Sequence, residues 1–88
     1  MNKYFVEFLG TLFLLFVILA TGNPVAIGAA LAIAIIVGSK ISGAHFNPAV
    51  TIAMVSAGKK SVNEMLPYIL AQVSGGLVAL ELYKQIKQ

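Results

Sequence analysis

The sequence contains no cysteine, and its charged residues include neither arginine nor aspartate: six lysines carry all the positive charge against three acidic residues. The lack of cysteine excludes disulfides and thiolate metal sites, and the only histidine, His45, has no companion with which to hold a metal. No basic patch interleaved with aromatics is present, so nucleic acid is not an expected partner. The lysines stand near the ends of apolar runs, where they suit membrane headgroups. Charge itself is scarce. Only 10% of the 88 residues are charged while 59% are hydrophobic, and the mean hydropathy is +0.93, which leaves too little polar surface to cover a soluble fold of this size. The expected class is a multi-pass integral membrane protein in contact with lipid. His45 has no nucleophile with a defined partner, so no catalytic residue, enzyme activity or cofactor is expected.

What is present divides into apolar runs and breaks. The first run, Tyr4 to Thr21, is about 18 residues or roughly 27 Å, enough to cross a hydrocarbon core of about 30 Å. A signal peptide is the competing reading, opposed by Glu7 early in the run and by the lack of a small-residue cleavage site. Glu7 inside a membrane helix either snorkels to the interface or faces the interior and accepts hydrogen bonds from irregular backbone. Thr21-Gly22-Asn23-Pro24 reads as a turn. A second span follows over about 24–39, short for a crossing and rich in small residues (Gly28, Ala29, Ala30, Ala32, Ala34) that permit close helix contact.

The break after it, Ser42-Gly43-Ala44-His45-Phe46-Asn47-Pro48-Ala49-Val50-Thr51, is small, polar and helix-breaking. Asn47 suits an N-cap and Pro48 the first helical position. The helix it opens ends by Gly58-Lys59-Lys60. Ten residues span only about 15 Å, so the segment 42–57 is expected to dip into the membrane as a re-entrant half-helix, its Asn47 end near the midplane and its lysines at the interface. Ser61-Val62-Asn63-Glu64 has the capping-box pattern and opens a third span over about 62–83. Gln72 lies mid-span, where its amide needs partners, whether the loop or only a neighbouring helix. The fold class is thus all-α, with three transmembrane helices and one half-helix. Lys3, Lys40, Lys59 and Lys60 fall on the N-terminal side and Lys84 and Lys87 on the other, a bias small enough to allow insertion both ways round.

The ten residues from Ser42 to Thr51 closely resemble the first Asn-Pro-Ala loop of the aquaporin and aquaglyceroporin family. Glu7-Phe8-Leu9-Gly10-Thr11 is similar to that family's first-helix motif, and Pro67-Tyr68-Ile69-Leu70-Ala71-Gln72 to its third helix. The resemblance implies that Asn47 donates its amide to single-file water or a hydroxyl. It implies that the carbonyls of Gly43, Ala44 and His45 line the path, that Glu7 and Gln72 brace the loop, and that Pro48 and Ala49 with Asn47 form the half-helix terminus. Ile27 and Val50 align near the usual narrow filter.

Three departures accompany the resemblance. One repeat is present where the family carries two inverted ones, the loop between the first two helices is short, and Val50 stands in the position that carries the selectivity arginine in the second repeat. One half-helix lines only half of the core, and its polar loop cannot face lipid uncovered. The expected assembly is an antiparallel homodimer, with four such pores clustered by analogy with the family's tetramers. The expected function is passive passage of water and small neutral solutes such as glycerol. The alternative is a non-conducting half-repeat that binds or regulates a full-length channel or a complementary half; a decayed fragment is a further one. His45 could brace the loop, line its mouth or gate it by titration.

Overall fold

Asn2 accepts hydrogen bonds from the amides of Tyr4 and Phe5 and starts α1, Lys3–Thr21, in a computed structural model that describes residues 1–87. Gly22, in the left-handed region at φ 56°, closes α1 by bonding its N–H to the Ile18 carbonyl. Asn23 caps the next helix through Val25 and Ala26, and Pro24 takes the first position, where an amide hydrogen has no use. A turn of two residues between two caps is all that this connection needs.

Helix α2 spans Pro24–Ser42, three residues beyond the expected end near 39. It continues because Ser39 and Lys40 do not break a helix, whereas Gly43 at φ 88° does. Residues 43–47 form an irregular loop, and α3 follows over Pro48–Ser56. A single 3₁₀ turn, Val62–Glu64, leads into α4, Met65–Lys87. Ser61 caps this turn through the Asn63 amide. The Glu64 carboxylate pairs with Lys3 at 2.5 Å and lies 3.9 Å from Lys60, so the expected capping box gives way to a link between chain segments. Pro67 falls in the first turn of α4, where its missing N–H leaves the helix unbroken.

Among the described residues, three helices are long and apolar enough to cross a membrane: Lys3–Thr21, Pro24–Ser42 and Val62–Lys87. The fourth, nine residues long, reaches only about 14 Å. α1 runs parallel to α4 and antiparallel to α2, as the pairs Tyr4 with Tyr68, Glu7 with Gln72 and Glu7 with Ser42 establish. The Lys3–Glu64 pair places the start of α1 and the start of α4 on one membrane face, here called the N-terminal face.

Close packing rests on glycine and alanine. Ala30, Ala34, Gly38 and Ser42, one per helical turn, form the buried stripe of α2. A Cβ on Gly75 would overlap the Phe8 carbonyl oxygen, so α1 and α4 touch backbone to backbone. The interior is small and unusually polar. Val6, Ala30, Ala34, Phe46, Tyr68 and Ala79 are its buried hydrophobic residues, and Glu7, Thr11, Ser42, His45, Thr51 and Gln72 its polar ones. Leucine, isoleucine and valine other than Val6 are exposed or half-buried, with Ile36 78% and Val37 70% exposed, as befits helices solvated by lipid tails.

Candidate functional site

The buried polar residues converge on Glu7. Its Oε2 accepts from the Ser42 hydroxyl at 2.7 Å and the His45 amide at 3.0 Å; its Oε1 accepts from the Phe46 amide at 2.8 Å and the Gln72 Nε2 at 2.8 Å. The carboxylate is completely buried. A charge placed there would cost several kcal/mol without partners, and these four donors supply them.

Those bonds decide where the loop's carbonyls go. The amides of Ala44, His45 and Phe46 point inward, the first to the Ser42 hydroxyl at 3.1 Å and the others to Glu7. In a trans peptide the C=O lies opposite the N–H of the same unit, and no described peptide bond is cis. The carbonyls of Gly43, Ala44 and His45 therefore face away from Glu7. Holding this shape puts Ala44 and Phe46 at φ 54°, in the left-handed region that costs a non-glycine residue about 1 kcal/mol or more, offset by the charge-assisted bonds to Glu7.

Phe46 is locked by a socket. Its ring occupies the space that a Cβ on Gly10 would take and lies against Gly38, so α1 and α2 each contribute a glycine to seat it. With Phe46 anchored, Asn47 is the next residue along and stays exposed. Its Oδ1 accepts from the Ala49 amide at 2.7 Å, capping α3 and leaving Nδ2 as a free-standing donor group beside the helix terminus. An open groove of about 350 Å³ extends past this tip, lined by Leu14, Leu15 and Ile18 of α1 and by Val73 and Gly76 of α4. Leu14 is eleven residues into α1, about 17 Å from its start, so the groove beside the tip runs along the middle of that helix.

The remaining sites fall as follows. The His45 imidazole is buried, with Nδ1 2.8 Å from the Thr51 hydroxyl, so the side chain turns inward while the backbone carbonyl belongs to the outward face. Thr51 also accepts from Gln72 Nε2 at 2.9 Å, so Gln72 ties α3 to Glu7. Pro48 is half-buried, and Ala49 and Val50 are exposed on α3. Ile27 is half-buried in the first turns of α2, at the face opposite Lys3, and is not brought near Val50 within one chain. Four residues here carry no role in the sequence reading: Ser42, Phe46, Thr51 and Tyr68. Tyr68 stands one turn before Gln72 on α4, a spacing that puts both on one face.

The site thus presents, beside the middle of α1, a row of carbonyl acceptors leading to one amide donor and the positive end of a half-helix. Such a row can exchange hydrogen bonds with water or a small hydroxyl compound without transferring a proton.

The family profile described as Major intrinsic protein matches residues 1–88. The chain is 44% identical over 88 residues to "Glycerol uptake facilitator protein-like 6" of Lactiplantibacillus plantarum, covering 90% of this chain and 41% of that protein. It is 37% identical over 97 residues to "Aquaporin Z" of Bradyrhizobium diazoefficiens, covering 93% of this chain and 40% of the relative. It is also 37% identical over 99 residues to "Glycerol uptake facilitator protein" of Streptococcus pneumoniae, with 89% and 41% covered. The chain spans about 40% of the length of these curated relatives.

Proposed function

The chain belongs to the major intrinsic protein family, and on that premise we propose that it forms a passive channel for water and small neutral solutes such as glycerol, assembled from facing half-sites. The observation that carries this reading is the position of the α3 tip: Asn47 is exposed beside the middle of α1, next to an open groove. One half-helix of nine residues furnishes half of a path, about 14 Å of the roughly 30 Å that must be crossed.

A second copy inserted upside down supplies the other half. Two α3 tips then meet at the midplane, with both Asn47 amides on the path and both loops continuing it to opposite faces. Each tip carries roughly half a positive elementary charge, so the facing pair opposes cations while leaving neutral solutes free to pass. Because Ile27 and Val50 of one chain lie in opposite halves of the membrane, each mouth would combine Ile27 of one copy with Val50 of the other. Such a mouth is aliphatic and has no fixed cation, which favours small neutral solutes without a strict preference for water.

The test is swelling of proteoliposomes containing the purified chain alone. Raised water permeability, with glycerol also admitted, is the expected result. No rise over empty vesicles with folded oligomer present rejects the homomeric channel, and activity restored only by a full-length relative assigns the chain to a regulatory or complementing role.

A further inference from the structure

Tyr68 is completely buried and has no part in the reading above, yet it stands at the start of the loop. Its hydroxyl donates to the Ser42 carbonyl at 2.6 Å. That carbonyl belongs to the last residue of α2, one of the helix-terminal acceptors that intrahelical bonding leaves unpaired. The same residue's side chain donates to Glu7, and the Gly43 amide, the other end of the 42–43 peptide unit, bonds to the Ser39 carbonyl. The peptide from which the loop departs is thereby held at both ends.

The tyrosine is in turn held from outside. Lys60 donates to the Tyr68 oxygen at 2.9 Å and its ammonium lies 4.3 Å from the ring centroid. Tyr4 meets the ring edge-on at 5.7 Å and His45 packs at 5.2 Å. Lys60 belongs to the turn between α3 and α4, at the N-terminal face with Glu64. A cation donating to a phenol oxygen polarises its O–H and strengthens the bond that the hydroxyl gives onward.

We infer that Tyr68, backed by Lys60, is a positioning residue: it sets the direction in which the loop leaves α2, and so aims the Gly43, Ala44 and His45 carbonyls. This rests on the channel reading for its functional consequence but not for its structural one. Glu7 fixes the loop's amides from beneath, while the Lys60–Tyr68–Ser42 chain fixes its first peptide from the membrane surface.

The experiment compares Tyr68→Phe, which removes only the hydroxyl, with Lys60→Met and Lys60→Arg. In vesicles, Tyr68→Phe should change the glycerol-to-water permeability ratio by roughly three- to tenfold, the scale of one neutral hydrogen bond. Lys60→Met should shift it in the same direction by less, and Lys60→Arg should keep it. A variant that merely folds less well lowers both permeabilities together and leaves the ratio alone, and that result overturns the inference. Hydrogen exchange reads the loop independently of conduction. Faster exchange in Tyr68→Phe confined to the amides of residues 43–47 supports the brace, and an unchanged loop overturns it. An inactive wild type with that exchange signature rejects the channel and keeps the brace; an active wild type with an unaltered Tyr68→Phe rejects the brace alone.

Discussion

Glu7 and Gln72, 65 positions apart in the chain, meet at 2.8 Å, and Gln72 reaches Thr51 with the same amide nitrogen. This one side chain joins three helices: α1 through Glu7, α3 through Thr51 and α4 through its own backbone. The loop's shape is therefore a property of the whole bundle.

Replacing Glu7 with Gln tests that dependence. The carboxylate accepts from four donors; an amide offers one oxygen and turns its NH₂ toward groups that also donate. Glu7→Gln should lower stability by about 3 kcal/mol or more, read as a fall in the unfolding midpoint in detergent. A variant as stable as the wild type would mean that the loop is held mainly by Phe46 and Tyr68.

Two adjacent glycines should behave differently. Gly75→Ala forces a methyl into the α1 backbone at Phe8, which cannot yield locally, and should cost about 1–3 kcal/mol by parting α1 from α4. Gly76→Ala meets only Leu15 at an ordinary 3.6 Å and should be neutral or slightly stabilising. Thermal unfolding of the pair checks this, and equal effects would refute the close backbone approach.

Asn47 separates capping from donation. Asn47→Ala removes the acceptor that caps the Ala49 amide and should cost about 1 kcal/mol. Asn47→Asp keeps an acceptor there but has no amide to donate. Under the proposed function both reduce water permeability in stopped-flow light scattering, while only the alanine variant loses helix stability.

The absence of cysteine makes an orientation test clean. Ala49 is exposed beside the α3 tip, so in an inverted pair two Ala49→Cys chains face one another and should form a disulfide dimer under mild oxidation. Lys59→Cys, beyond the far end of α3, should not, because inversion sends it to opposite faces. Crosslinking at 59 and not at 49 would require parallel chains. The Ala49→Cys channel should also become sensitive to mercurials, to which the cysteine-free chain is indifferent.

The elements that were legible in the sequence have local causes. Asn47 marks a helix start because a short polar side chain before an apolar run satisfies exposed amides, and Pro48 confirms it from the next position; the structure adds Asn2 and Asn23 as caps of the same kind. The half-helix is legible from length alone, since nine residues cannot span a bilayer. What escaped the reading had partners distant in the chain. Glu64 fits a capping box locally, yet Lys3 takes its carboxylate; Ser42 reads as loop but is held in α2 by Glu7 and Tyr68.

The sequence by itself determined that this chain lives in a membrane, crosses it three times and carries a short capped helix between the second and third spans, because hydropathy, length and capping act over neighbouring residues. Only the tertiary structure decided which way the loop's carbonyls face and how the residues before its tip are seated. Those depend on Glu7, Gly10, Gly38, Tyr68 and Gln72 arriving together from three helices, and a buried charge surrounded by fixed donors leaves the backbone between them one arrangement.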